Sequence, residues 1–298
     1  MKKPLVSLIT LNYNQTEVTC AFLESTKALT YHNFETIVVD NASTKDPTEQ
    51  IERGNYPRLR LVLSEKNLGF TGGNNLGMRK AKGDYVLIIN NDTEVTPNLL
   101  EQLMMPFEQD ERIGVVSPKI KFYDHPDIIQ YAGFQPMSPF TGRTGAVGSR
   151  EPDRGQHDTP GETYGAHGAA MMVKREVIEK VGMFAETFFI YYEEWDWSAR
   201  IRRAGYKIFY QPKATIYHKE SITMGKESAI KAYYHTRNRI LYMRRNSKKS
   251  QFVIFTLFLI CFIIPKAVIN YSRRGQFKHL KAFVNGVLWN IKTPLASI

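Results

Sequence analysis

Four short apolar runs, each stopping on an amide or another hydrogen-bonding side chain, fall within the first 90 residues of the chain. They are LVSLITLNY from Leu5, ETIVVD from Glu35, LRLVLS from Leu59 and DYVLIIN from Asp84. Each has strand length and is apolar without strict alternation, the signature of strands covered on both faces. Between them lie segments with helical spacing. EVTCAFLESTKAL repeats Val18, Phe22, Thr26 and Leu29, and GNNLGMRKAK follows a glycine pair. Short buried strands alternating with helices predict an α/β domain around a mostly parallel sheet. Ligands of such a sheet gather at the carboxyl ends of its strands.

At 298 residues and 43% hydrophobic content, the chain is long for one domain and short for two. One catalytic domain over residues 1–230 and a smaller region over 231–298 are expected. The opening MKKPLVSLITLNYN superficially imitates a secretory leader. Its apolar stretch is short and meets Asn12 at once, so it reads as the first strand. Two cysteines, Cys20 and Cys261, support no disulfide framework.

The net charge of +11 is concentrated at one end. Residues 231–298 carry 13 Lys and Arg and no acid, leaving 27 basic against 29 acidic residues before them. Within that basic region FVIFTLFLICFIIP, Phe252 to Pro265, is almost wholly apolar and flanked by cations. A nucleic-acid-binding arm has no use for such a stretch, so no nucleic-acid partner is expected, and an anionic membrane surface fits better. The run is shorter than the roughly 20 residues of an ordinary span, and Pro265 is expected to kink or end a helix, which predicts a re-entrant or interfacial segment. Downstream, Phe277, Leu280, Phe283 or Val284, Val287 and Leu288 recur at helical spacing among Lys278 and Lys281, as in a helix lying in the headgroup plane. A helix buried in the body, or an oligomer interface, is the competing reading.

Polar residues collect where the strands end: Thr10, Asn12 and Asn14; Asp40 and Asn41; Glu65 and Asn67; Asn91 and Asp92. Singly each is an ordinary turn signal. Four in succession predict a shared pocket. The glycines of NLGFTGGNNLG do not form a Gly-x-Gly-x-x-Gly fingerprint, which argues against a nicotinamide dehydrogenase.

With these motifs in view, the chain resembles the family 2 glycosyltransferases, inverting enzymes of the GT-A fold, especially rhamnosyltransferase-like enzymes of bacterial polysaccharide synthesis. The resemblance runs from about Val6 to Arg239 and is carried by VSLITLNYNQ, IVVDNAST, EKNLGFTGGNNLG, YVLIINNDTEV, VGMFAETFFIYYEEWDWSARIRRAGY and IYHKES. It implies a UDP- or dTDP-sugar donor, with Asp40 accepting from the base or ribose and Thr10 and Asn12 framing the nucleoside. Asn67, Gly72, Gly73, Asn74 and Asn91 complete the expected donor contacts, the glycines by bringing helix amides near an anion. Asp92 stands where the fold places its metal-binding acid, so Mn²⁺ or Mg²⁺ is the expected cofactor, with His218 a further metal or phosphate contact. The chain departs from Asp-x-Asp by carrying Asn90 and Asn91.

The resemblance also assigns the general base to Glu194, with Glu193 as the fallback. Asp196 and Arg200, four apart, predict a structural ion pair. Trp195 is the expected acceptor-stacking ring and Trp197 a packing residue. Residues 136–164, rich in Gly, Pro and charge, predict either a mobile covering loop or a plain surface excursion. The expected whole is a metal-dependent transferase at the cytoplasmic membrane face, acting on a lipid-linked glycan. A soluble or protein acceptor, and an inactive membrane-bound scaffold, are the alternatives.

Overall fold

The computed structural model describes residues 3–56, 58–219 and 228–294. Its first half follows the apolar runs. β1 (Val6–Asn12), β2 (Phe34–Asp40), β3 (Leu59–Leu63) and β4 (Tyr85–Ile89) lie parallel in the order β3-β2-β1-β4. They are joined by α1 (Thr16–Thr26), α2 (Thr48–Arg53) and α3 (Gly69–Lys80). Alternate residues feed separate cores on the two faces. Leu8, Val38 and Leu87 pack with Phe22 and Leu103, while Ile9, Ile37 and Val86 pack with Met78 and Trp197. Burial on both faces is why these runs show no polar alternation.

The remaining strands make the sheet mixed rather than mostly parallel. After β5 (Thr93–Val95) and α4 (Leu99–Gln109) come β6 (Ile113–Phe122), β7 (Ile129–Tyr131), β8 (Gly161–Thr163) and β9 (Ala170–Lys174). α5 (Arg175–Val181) and α6 (Glu193–Arg203) then lead to β10 (Lys207–His218). β9 sits antiparallel between β4 and β6, and β10 runs parallel to β6 and antiparallel to β5. Residues 132–169 contain no helix to return the chain across the sheet, so β9 enters in reverse.

The Gly- and Pro-rich segment is fastened to this half. β8 pairs with β10, and Asp153 receives Lys119 at 3.0 Å and Lys121 at 2.8 Å. The Tyr192 hydroxyl donates to the Gly142 carbonyl at 2.9 Å.

The C-terminal region begins with α7 (Ala229–Asn246), whose Ile240 and Leu241 pack with Phe188 and Trp195 of the catalytic half. Then follow α8 (Lys249–Phe258), a π-helical turn over Leu259–Ile263, α9 (Ile264–Arg273) and α10 (Phe277–Lys292). Pro265 does not end the helix. The wider π turn just before it accommodates the missing amide, and the helix continues from Lys249 to Arg273, long and apolar enough by length and composition to cross a membrane. α10 divides its apolar stripe. Phe283 is buried, whereas Phe277, Val284 and Leu288 are exposed. Gly286 permits the close approach, since a Cβ there would lie 2.9 Å from the Tyr233 carbonyl oxygen of α7.

Candidate active site

The strand tips meet through a row of hydrogen bonds. Asn91 Nδ2 donates to Thr19 Oγ1 at 2.9 Å, and Thr19 donates to Asn12 Oδ1 at 2.7 Å. Asn12 Nδ2 then donates to Asp40 Oδ1, also at 2.7 Å. Asp40 accepts further from the Ser43 hydroxyl at 2.6 Å and amide at 2.9 Å. Three of its roughly four lone-pair sites are thereby used, leaving one on Oδ2 for a ligand donor. Thr10 Oγ1 is buried at the same edge and makes no hydrogen bond among the described residues.

The turn into α3 is set by amides. Asn41 Oδ1 accepts from the Leu68 amide at 2.9 Å, and Asn67 Oδ1 accepts from the Gly69 amide at 2.8 Å. α3 starts at Gly69, so Gly72 and Gly73 lie inside it rather than at its opening. The Gly72 amide already donates to the Leu68 carbonyl at 3.3 Å, and a Cβ on Gly72 would come within 2.8 Å of Leu68 Cβ. A Cβ on Gly73 would meet Leu11 at 3.0 Å, so both glycines are accounted for by packing. Asn74 Nδ2 donates to the Phe70 carbonyl one turn back.

Antiparallel pairing of His218 with Thr93 sets β10 beside the 90–92 turn. Asp92 Oδ1 and His218 Nε2 come within 3.2 Å, both buried, and neither has an aligned hydrogen-bond partner. His218 Nδ1 lies 2.8 Å from Gln130 Oε1, which places the ring proton there and turns the Nε2 lone pair toward the carboxylate. Two acceptors this close need a cation between them or a proton on Nε2. Adjacent ligands of an octahedral Mg²⁺-sized ion lie about 3.0 Å apart, so the pair fits two positions of a divalent ion. A ligating His whose other nitrogen donates to an oxygen is the usual arrangement. Among the described residues no third His, Cys, Asp or Glu joins them, so phosphate and water would complete the shell. Glu220 and Ser221 of the IYHKES motif lie outside the described residues.

Glu193 and Glu194 begin α6, immediately after Tyr191 and Tyr192, both held at φ 71°. This strained turn is tied down from α7. Asn238 Nδ2 donates to the carbonyls of Phe188 (2.8 Å), Ile190 (2.7 Å) and Tyr191 (2.8 Å), and Arg237 Nη2 also donates to Phe188. Each glutamate has a buried Oε2 with no hydrogen-bond partner. Burial pushes both carboxyls above the usual range, Glu193 furthest because it also feels the charge of Glu194. Deeper in α6, Asp196 pairs with Arg200 at 2.8 Å and Arg245 at 3.0 Å, and Trp197 is buried with its indole donating to the Gly182 carbonyl.

Glu194 and Trp195 line a cavity of about 850 Å³ reaching from α6 to α8, α9 and α10. Aromatic contacts connect this cavity to the Asp92–His218 pair. Trp195 packs on Phe134 at 4.2 Å, Phe134 stacks on His167 at 5.7 Å, and His167 meets His218 edge-on at 6.3 Å. Burial lowers the His167 pKa to about 3, with the charge of His218 adding to the effect.

Thr19, Ser43, Gln130, His167 and Asn238 had no distinguishing local signal.

The family model for glycosyl transferase family 2 matches residues 7–182. An uncharacterized protein, y4gI, of Sinorhizobium fredii is 30% identical over 269 residues, covering 84% of this chain and 28% of that protein. The N-acetylglucosaminyl-diphospho-decaprenol L-rhamnosyltransferase of Mycobacterium tuberculosis is 24% identical over 242 residues, 74% of this chain and 78% of that one. The chain thus spans about a quarter of the first relative and about three quarters of the second. Among solved structures, a mannosyltransferase of Pyrobaculum calidifontis in complex with GDP-Man and Mn²⁺ superposes with TM-score 0.60 over 98% of this chain and 88% of that one, at 16% identity. That likeness shows the GT-A fold.

Proposed function

Because the chain belongs to glycosyl transferase family 2, we propose that it is an inverting glycosyltransferase that moves a sugar from a nucleoside-diphosphate donor to a lipid-linked glycan at the cytoplasmic membrane surface. The observation that carries this reading is Glu194, at the wall of the large cavity with an unpaired carboxylate oxygen. An acceptor hydroxyl seated there attacks the anomeric carbon from the face opposite the diphosphate. The new C–O bond forms as the bond to the phosphate oxygen breaks, the hydroxyl proton passes to Glu194, and the nucleoside diphosphate departs. Burial raises both carboxyls and the two titrate together, so the pair holds on to a proton that isolated carboxylates would release.

On the donor side, the free lone pair of Asp40 and the orphan hydroxyl of Thr10 are the groups able to read a base or ribose. Asn12 and Asn91 hold that edge in place. Asp92 and His218 would hold a divalent ion, which when bound neutralises charge on the departing diphosphate. The diphospho-decaprenol substrate named for the mycobacterial enzyme supports a lipid-linked acceptor, and the Mn²⁺ bound with GDP-Man in the Pyrobaculum mannosyltransferase supports that metal. Trp195 lines the same cavity as Glu194, which favours it as the sugar-stacking ring.

The test is donor turnover on a panel of UDP-, dTDP- and GDP-sugars with and without EDTA. Turnover should be metal-dependent and lost in Asp92→Ala. Persistent turnover in that variant refutes the metal assignment.

A further inference from the structure

The cavity beside Glu194 has a feature that base and metal do not use. Four cations line it: Arg143 from the 136–164 segment, Arg239 from α7, Lys266 from α9 and Arg274 just beyond α9. Among the described residues Glu194 is the one acid that lines it. None of the four cations makes a side-chain hydrogen bond or an ion pair among the described residues, unlike neighbouring Arg237, Arg244 and Arg245. Arg239 is the decisive member. It is only 7% exposed, its Nη2 has no hydrogen-bond partner among the described residues, and its guanidinium lies 5.8 Å from the Phe255 ring centroid.

A buried guanidinium without an acceptor is costly and normally finds a carboxylate or carbonyl. Here the surroundings are also positive. Burial, together with the charges of Lys231, Arg143 and Arg239, lowers His235 to about 4, so the ring marks the local field. Phe258, Phe262 and Ile263, where the long helix turns through its π segment, give the same cavity an apolar part.

Resting on the transferase reading above, we propose that Arg239, with Arg143, Lys266 and Arg274, forms an anion subsite for the diphosphate of an isoprenoid-linked acceptor, whose chain leaves along Phe258 and Phe262. The donor's diphosphate has its own place at Asp92 and His218, so this second cationic cluster answers to a second anion. The placement is chemically apt. An amphiphile carrying sugar, diphosphate and hydrocarbon finds in this one cavity an acid, a cationic cluster and apolar side chains: Glu194, the four cations, and Phe258 with Phe262.

Binding to the full chain in detergent, followed by calorimetry, tests this without turnover, using farnesyl diphosphate, farnesol and inorganic pyrophosphate as probes. Farnesyl diphosphate should bind at least about tenfold more tightly than either fragment, and Arg239→Gln should weaken it about tenfold or more, as expected for loss of a charge-assisted contact. The paired surface substitution Lys266→Ala with Arg274→Ala should act in the same direction, and decides the matter if Arg239→Gln fails to fold. Equal binding of farnesol and farnesyl diphosphate, or no change in the paired variant, overturns the subsite. So does displacement by phosphatidylglycerol at equal concentration, which would mark a bulk-lipid headgroup site. Donor turnover measured on the same wild-type preparation separates the two readings. Turnover without farnesyl diphosphate binding sinks the subsite alone, and binding without turnover sinks the transferase reading alone.

Discussion

Glu193 and Glu194 are adjacent in sequence yet face different surroundings, and this difference separates their roles. Glu193 is 4% exposed, whereas Glu194 reaches the cavity wall. Glu193→Gln replaces the more deeply buried and more strongly raised carboxyl with a neutral isostere of its protonated form. Its transfer rate should fall no more than severalfold, with the acid limb of the pH profile unmoved. Glu194→Gln should lose about 10²- to 10⁴-fold, the usual worth of a positioned base. Steady-state rates of the two variants between pH 5 and 9 (roughly the range of carboxyl and histidine titration) decide which acid is the base. The same carboxyls affect stability. Their folded-state pKa values lie above the 4.5 of an unperturbed glutamate, so the folded form binds more protons than the unfolded form. Stability is therefore fully present below that value and is lost as pH rises through the raised pKa values. Glu193→Gln should remove its share of that loss, raising Tm in alkaline buffer by on the order of a few degrees and leaving it unchanged in acid. Identical pH dependence of Tm in wild type and variant would refute the assignment.

The element that most affects the site is α7, which contributes no residue to the strand-tip cluster. Its Asn238 fixes three carbonyls of the turn preceding α6, where Tyr191 and Tyr192 adopt left-handed backbone. Such a conformation persists only when its surroundings enforce it. Asn238→Ala removes the side-chain donor from the Ile190 and Tyr191 carbonyls, Phe188 keeping that of Arg237, and should cost about 1–3 kcal/mol in denaturant unfolding. It should also lower the transfer rate, because both glutamates follow directly from that turn. A variant with normal stability and normal rate would show that the turn holds itself. This dependence was not legible in the sequence, since Asn238 lies about 50 residues from its partners and its role arises from helix packing. What was legible is local. The β1–β4 runs, the Asp196–Arg200 pair and the polar strand ends all follow from spacing within a single element. Failures came where distant strands meet: β9 reverses the sheet, and Pro265 sits in a continuous helix because a π turn precedes it. Gly72 and Gly73, read as an anion-binding opening, are explained by contacts with Leu68 and Leu11.

Across the whole molecule, Glu194 and the apolar helix line one cavity, so under the proposed function transfer and membrane attachment would be coupled. The face of α8 and its π turn opposite the cavity presents Val253, Leu257 and Ile260, each more than half exposed, at i, i+4 and i+7. In water this stripe has no partner among the described residues, and cationic clusters precede and follow it. Insertion of such a face beside anionic headgroups gains both apolar burial and Coulomb attraction. Replacing Val253, Leu257 and Ile260 together with Ser should abolish co-flotation with phosphatidylglycerol vesicles. Thermal unfolding should change little, because these side chains support no core. Donor hydrolysis should survive, because Glu194 and Asp92 are untouched, while transfer to a lipid-linked acceptor presented in vesicles should fall. Undiminished flotation of the triple variant would show that attachment runs through α10 instead, where Phe277 and Ile291 are the most exposed apolar residues.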